Sequence, residues 1–201
     1  RNVYSHGGGY NPHTNEFWYP GWSNSTVYRL NPSGNLLGTF NSGQTQMMQL
    51  WMDLNSEDYY TANWSYNTIT RRSGTSTVWT YNMGRTASCV TTDADYVYAY
   101  GVWENVIRVL NKQTGQFIRN INLPGTIYTW GTMAVANGYI YIGGRANGWS
   151  DFPNNYQYLH QLDMDGNYIT SIYTGRNPYS MAFDGEVMWI DQLSNNPVGI
   201  K

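Results

Sequence analysis

The sequence has little charge, almost no lysine and no long apolar run. Charged residues make up 12% of its 201 residues, about half the share found in an ordinary soluble domain. Lysine occurs only at Lys112 and Lys201, and the formal net charge is −2. Because nucleic acids and anionic membranes attract clustered positive charge, we expect neither as a partner. We also expect no membrane insertion, since a spanning helix needs roughly 20 apolar residues in a row.

Cysteine and histidine are also scarce. The lone Cys89 excludes an internal disulfide framework. It alternates with Ala87 in an apolar segment, which predicts a small buried residue. The three histidines, His6, His13 and His160, are not grouped at metal-ligand spacing, and we interpret each as a solvent-facing strand or turn residue. We therefore expect no metal site, no cofactor and no catalytic residue.

Aromatic residues are abundant: they make up 16% of the chain, with 19 tyrosines and nine tryptophans. A chain this aromatic can bury a core, so disorder is not expected. Few charges together with many Tyr, Asn and Gly residues favour an extracellular or cell-surface localisation. The sequence starts without Met or a signal peptide, so we expect a processed or excerpted chain. Asn24 and Asn63 begin sequons that matter only in a compartment that glycosylates.

A strand-like segment recurs about every 40 residues. Its copies begin at Phe17, Tyr59, Tyr96, Tyr139 and Val187, with spacings of 42, 37, 43 and 48 residues. Each of the first four copies leads into a hairpin whose short loop contains Gly. Short strands of small and apolar residues precede the last three copies. Four-stranded units of this length are the sequence signature of β-propeller blades.

We therefore predict an all-β fold: one β-propeller domain over residues 1–201, built from four-stranded antiparallel blades. The predicted blades cover approximately residues 1–43, 44–83, 84–123 and 124–174, with a partial fifth blade at 175–201. Two arrangements remain open, a five-bladed ring with an incomplete last blade or part of a larger propeller. The edge that a missing closing strand would expose favours the second.

The third repeat resembles a known family. Tyr96-Val97-Tyr98, followed by Val106–Asn111 and Thr114-Gly115, is similar to the YVTN and NHL-type propeller repeats of bacterial and archaeal surface proteins. In the other repeats Trp and Tyr replace the aliphatic residues usual in the family. The resemblance implies a propeller of the cell-surface or secreted type. Members include adhesion and scaffold proteins, sugar binders and a few lyases or lactonases, so the fold alone does not decide the function.

The tryptophans suggest where a ligand would bind. By the resemblance, the connections between blades and those between the second and third strands gather on one face, around the channel mouth. One tryptophan follows the second strand in each of the first four repeats: Trp22, Trp64, Trp103 and Trp149. Two more, Trp51 and Trp130, are assigned to connections between blades. We predict that these six side chains decorate one face.

An exposed indole can stack against the C–H face of a pyranose, while polar neighbours bind the hydroxyl groups. Asn63 and Arg145 are the predicted polar partners, with Asn24, Glu104, Asn105, Asn147 and Asp151 nearby in sequence. This pattern predicts glycan recognition. Two alternatives stay open, because a repeated Trp can also fill the gap between blades or anchor a protein partner.

Three functions are compatible with these patterns. The leading one is an extracellular, non-catalytic recognition or scaffold module for a glycan or a surface protein. The second is a structural subunit of a surface layer or filament that self-associates through sheet edges. The third is a lyase or hydrolase, for which the acids to check are Asp53, Glu57, Asp93, Asp184 and Asp191. The segment Asp163–Asn167 is interpreted as a hairpin turn, because it lacks the closing glutamate of a calcium loop.

Overall fold

The computed structural model describes residues 7–147, 157–192 and 198–200. Every regular element in these ranges is a β-strand, which confirms the predicted all-β propeller. No helix in this part of the chain is long and apolar enough to cross a membrane. The strands are rich in aromatic and β-branched residues, which pack well on a pleated surface.

Each of the first four blades is an antiparallel sheet whose four strands follow chain order. Blade 1 contains β1 (Gly9–Asn11), β2 (Glu16–Pro20), β3 (Thr26–Leu30) and β4 (Leu36–Asn41). Blade 2 contains β5 (Met47–Met52), β6 (Asp58–Asn63), β7 (Thr68–Ser73) and β8 (Ser76–Asn82). Blade 3 contains β9 (Ala87–Thr92), β10 (Tyr96–Gly101), β11 (Val106–Asn111) and β12 (Phe117–Asn122).

The fourth and fifth blades carry two variations on this plan. Blade 4 contains β14 (Met133–Ala136), β15 (Tyr139–Gly143), β17 (Tyr158–Leu162) and β18 (Tyr168–Tyr173). Two short strands on the connections around it, β13 (Thr126–Tyr128) and β16 (Arg145–Asn147), pair with each other. Within the described residues, blade 5 has three strands, β19 (Pro178–Phe183), β20 (Met188–Gln192) and β21 (Val198–Ile200).

The five first strands close a ring, because each contacts the next and β19 contacts β1. A hydrogen bond joins every neighbouring pair of blades along this ring. The five bonds are Leu50 N to Gly7 O (3.0 Å), Val90 N to Gln49 Oε1 (2.9 Å), Val135 N to Thr91 Oγ1 (3.0 Å), Thr132 Oγ1 to Pro178 O (2.9 Å) and Gly8 N to Ser180 Oγ (3.0 Å). The preference for part of a larger propeller was therefore wrong: β19 packs on β1, and the described strands form the five-bladed ring.

The Gln49 side chain lies buried among the first strands of three blades. Its Nε2 donates to Met133 O at 2.9 Å, and its Oε1 accepts from Val90 N at 2.9 Å. One amide thus links blades 2, 3 and 4. Backbones meet closely beside it, since a Cβ on Gly131 would collide with the carbonyl group of Met48. Only glycine, which also tolerates the local φ of +103°, fits there.

The two faces of the ring use different connections. One face, here called the turn face, carries the turns between first and second strands and the hairpins between third and fourth strands. The other, the loop face, carries the remaining connections, including β13 and β16. Asp163 accepts hydrogen bonds from Asp165 N (2.9 Å) and Asn167 N (2.8 Å) between β17 and β18. The hairpin interpretation of this segment is therefore confirmed.

The predictions for cysteine and histidine have different outcomes. Cys89 is fully buried, as predicted, and burial raises the pKa of its thiol to about 11. His13 is exposed in a turn, and His6 lies outside the described residues. The solvent-facing prediction is wrong for His160, which is fully buried in β17. Because burial disfavours the charged form, the pKa of His160 is lowered to about 4.

Candidate functional site

Five aromatic rings form a continuous row on the loop face, here called the aromatic row. In spatial order they are Trp22, Trp64, Trp130, Tyr128 and Trp103, and successive ring centroids are 6.4, 5.7, 4.9 and 4.4 Å apart. The rings belong to connections of blades 1, 2 and 3 and to the segment that leads into blade 4. The structure thus brings together four of the six predicted tryptophans.

The rings of the row are partly packed on one another. Trp64 and Trp130 stack with planes 14° apart, whereas Trp130 meets Tyr128 edge-on at 86°. Stacked and edge-on pairs are both favourable for aromatic quadrupoles. Trp103 remains 46% exposed at one end of the row, and the other four rings are half-buried. The row therefore offers a ligand one broadly exposed indole, that of Trp103, and four partly exposed rings.

Gln46 sets the distance between Trp22 and Trp64. Its N–H donates to Trp22 O at 2.9 Å, and its carbonyl accepts from Trp64 N at 3.0 Å. Gln46 has a positive φ of 54°, a conformation that non-glycine residues rarely adopt. These bonds join connections from two blades, and nothing in the sequence around Gln46 indicates this role.

Tyr100 holds the other end of the row. Its fully buried hydroxyl accepts a hydrogen bond from Ile127 N at 2.9 Å and lies 2.5 Å from Glu104 O. Ile127 belongs to β13 beside Tyr128, and Glu104 follows Trp103. One hydroxyl therefore ties the Trp103 turn to β13, which explains why Trp103 and Tyr128 meet. Burial raises the pKa of Tyr100, so the hydroxyl stays protonated.

Glu104 is committed to an ion pair. Its carboxylate accepts two hydrogen bonds from the Arg108 guanidinium, one of them from Nη2 at 2.8 Å. The Nε of the exposed Arg85 lies 3.7 Å from the same carboxylate. These hydrogen bonds raise the pKa of Arg108. Glu104 thus fixes the turn that carries Trp103, and its oxygens are engaged by arginine.

The polar partners predicted for a sugar occupy different positions. Arg145 is exposed in β16 and lies opposite Tyr128 in the ladder, next to the row. Asn63 is fully buried; its Nδ2 donates to Thr45 O at 2.5 Å and its Oδ1 accepts from Tyr66 N at 2.9 Å. Asn63 therefore shapes the turn that carries Trp64, and its buried side chain has no surface to offer a ligand or a glycosylating enzyme.

Two predicted tryptophans are not part of the row. The assignment of Trp51 to a connection was wrong: it lies in β5, is buried, and donates from Nε1 to Thr92 Oγ1 at 3.2 Å. The uninterrupted buried pattern of β5 is typical of a strand covered on both faces. Trp149 lies outside the described residues.

The gap-filling alternative applies to the tryptophans in strands. Trp79 of β8 donates from Nε1 to Lys112 O of blade 3 at 3.1 Å, and its ring packs on Gly115. Trp18 of β2 meets Tyr59 of blade 2 with ring centroids 5.7 Å apart. The described tryptophans thus divide into a strand group that packs blades together and a loop group that forms the aromatic row.

The acids proposed for catalysis lie mainly in turns on the opposite face. Asp53 pairs with Lys112 at 2.9 Å, and Asp93 accepts from Tyr98 Oη at 2.6 Å. Asp184 accepts from Trp189 Nε1 at 2.8 Å, and Glu57 is exposed. The side chain of Asp191 lies outside the described part of the structure. Among the described residues, no three His, Cys, Asp or Glu side chains are placed to hold a metal ion.

No protein-family model matches this sequence, and no curated protein matches it either. Among solved structures, the chain is similar to glutaminyl cyclase of Myxococcus xanthus, with a TM-score of 0.75 and 13% identity over 100% of this chain and 90% of that one. A protein of unknown function from Bacteroides caccae gives a TM-score of 0.63 at 13% identity, covering 89% and 71%. BamB of Moraxella catarrhalis gives 0.54 at 13% identity, covering 96% and 60%.

At this identity the likenesses show the fold alone. They support a propeller arrangement, and the more specific resemblance to YVTN and NHL-type repeats stays a prediction.

Proposed function

We propose that this chain is an extracellular, non-catalytic recognition propeller that binds a glycan along the aromatic row. The contiguous run of five rings across connections of several blades carries this proposal. These rings lie outside the strand positions that pack blade against blade, and Trp103 keeps a largely exposed indole. Arg145 beside Tyr128 adds a hydrogen-bond donor for hydroxyl groups.

The test is glycan-array binding of the protein and of a Trp103→Ala variant, followed by titration of any bound glycan. We expect Trp103→Ala to lose about tenfold or more in affinity, as loss of an aromatic anchor does. Phe117→Ala is the matched control, because Phe117 is 49% exposed on β12, outside the row. Equal affinity in the two variants would contradict the glycan site. If the protein bound only protein ligands, the aromatic row would instead be a site for a protein partner.

A structural role in a surface layer or filament is the second candidate, and the outer strands favour it. At the same bulged position, the fourth strand of each of blades 1–4 exposes an aliphatic side chain: Leu37, Val78, Ile118 and Ile169. Arg119 is the single charged residue in these four strands. Native edges are usually protected by charge or proline, although bulges also blunt them. Assemblies in sedimentation at micromolar concentration, without any sugar, would support this role.

The enzyme alternative draws on the likeness to a glutaminyl cyclase. Its direct test is ammonia release from peptides that begin with glutamine. A rate above that of the heat-unfolded protein would contradict the non-catalytic proposal, whereas glycan binding without turnover would support it.

A further inference from the structure

A second concave site lies between blades 1 and 5, away from the aromatic row. It is a cavity of about 340 Å³ that reaches the turn face. Four aromatic rings line it: Tyr10, Phe17, Tyr19 and Trp189. This volume lies within the range of small-molecule sites, which are mostly apolar with a few directed polar groups.

The aromatic walls come from both blades. Phe17 of blade 1 meets Trp189 of blade 5 edge-on, with ring centroids 6.5 Å apart and planes at 86°. The ring centroid of Tyr10 lies 5.2 Å from that of Phe17. Aromatic side chains of blades 1 and 5, the two blades that complete the propeller, therefore line the cavity. Gly8 N and Ser180 Oγ, which bond to each other at 3.0 Å, also line it.

Asp184 is the one acidic residue among the described residues that line the cavity. It accepts hydrogen bonds from Glu186 N at 2.9 Å, Val187 N at 2.7 Å and Trp189 Nε1 at 2.8 Å. Partial burial raises the pKa of Asp184, but the hydrogen bonds outweigh it, so the pKa falls below its ordinary value and the group is ionised at neutral pH. No lysine or arginine is among the described residues that line the cavity. The described lining is therefore aromatic and carries a negative charge.

We propose that this cavity binds a small organic cation with a methylated ammonium group, of the choline type. Aromatic rings attract such cations through their quadrupoles, and the attraction strengthens where water is excluded. The Asp184 carboxylate supplies the opposite charge. The inference is independent of the glycan proposal, because the residues that carry it belong to β1, β2, β19, β20 and the turn between the last two.

The experiment compares choline with 3,3-dimethylbutan-1-ol, a neutral molecule of the same shape, by calorimetry or ligand-observed NMR. We expect saturable choline binding that is about tenfold or more tighter than that of the neutral alcohol. Asp184→Asn should weaken choline binding by a similar factor. Asp93→Asn is the matched control: Asp93 accepts from two turn amides and from Tyr98 Oη in the equivalent turn of blade 3. It should bind choline like the unchanged protein.

Several outcomes would overturn the proposal. Equal binding of choline and the neutral alcohol would show an apolar pocket without cation selectivity. Equal loss in the Asp184 and Asp93 variants would show a general effect on the turns. No saturable choline binding to the unchanged protein would remove the site. If Asp184→Asn fails to fold, Phe17→Leu replaces it, and undiminished choline binding in that variant would contradict the aromatic walls.

Discussion

The two faces of the ring are stabilised over different sequence distances. On the turn face, Asp93 accepts hydrogen bonds from Asp95 N at 2.9 Å and Tyr96 N at 2.7 Å, all within four consecutive residues. On the loop face, Gln46 bonds to Trp22, and Tyr100 bonds to Ile127. Those partners lie more than 20 residues apart. The turn face is thus built from local units, whereas the loop face depends on contacts between distant segments.

Substitutions should therefore affect the structure of the two faces differently. A turn whose hydrogen bonds lie within a few residues does not depend on other blades. A substitution in such a turn should therefore affect only its own blade. The aromatic row depends on buried groups such as Tyr100, so one substitution can separate rings from different connections. Lys112 is an exception on the turn face: its ion pair with Asp53, and its carbonyl, which accepts from Arg71 and Trp79, join blades 2 and 3.

The largest expected effect tests that exception. Lys112→Met leaves the Asp53 carboxylate buried without its partner, since the two side chains are only 4% and 3% exposed. We expect a loss of about 3–5 kcal/mol in the free energy of unfolding, measured by denaturant titration. Arg29→Met is the control, because its pair with Glu16 lies within blade 1 and Arg29 is 38% exposed. Glu16 is 7% exposed but keeps the hydrogen bond from Trp18 Nε1, so that change should cost less than the Lys112 change, about 1–3 kcal/mol. Equal losses of unfolding free energy in the two variants would show that the inter-blade ion pair stabilises the fold no more than the pair within blade 1.

The next effect concerns acid and His160. The pKa of His160 in the folded protein is about 4, below the roughly 6.5 of an unfolded chain. The unfolded state therefore binds the proton first, so this stability is complete above pH 6.5 and declines as the pH falls towards 4. We expect a loss of about 3 kcal/mol over that window, measured as unfolding free energy against pH.

His160→Gln isolates this contribution, because the substituted protein should lack that part of the pH dependence. The effect reports on the loop face. His160 Nε2 lies 3.1 Å from Gly144 O, directly before Arg145 and β16. Identical slopes for the two proteins between pH 4 and 6.5 would contradict the prediction.

The smallest effect compares two hydroxyls of strand β10. Tyr100→Phe leaves the buried Ile127 N–H without its acceptor, which should cost about 1–3 kcal/mol and speed hydrogen exchange at Ile127. Tyr98→Phe removes one hydrogen bond to Asp93, but Asp93 keeps its bonds to the turn amides. This change should therefore lower the free energy of unfolding by about 1 kcal/mol or less. If the Tyr98 change proved the more costly, the two faces would not differ as described.

The same difference between local and distant contacts explains which features could be predicted from the sequence. The repeat, the hairpins and the Asp163 turn follow from local patterns, and all of them are present in the structure. The repeated position of Trp22, Trp64 and Trp103 and the assignment of Trp130 to a connection between blades, together with the face that the resemblance implies, also predicted their collection on one face. Trp51 was misplaced because its neighbours Met47–Met52 can be interpreted equally well as a connection or as a fully buried strand.

The roles of Gln46, Gln49 and Tyr100 had no local signal. Each acts on partners that adjoin it only after segments distant in the sequence have packed together. The solvent-facing interpretation of His160 failed for the same reason, because Gly144 and Ser171 cover it from outside its own strand.

The aromatic row and the aromatic cavity open on opposite faces of the ring, because loop-face connections carry the row and the Asp184 turn borders the cavity. A saccharide on the aromatic row and an ammonium compound beneath Asp184 would thus arrive from opposite directions and occupy their sites without competing for space.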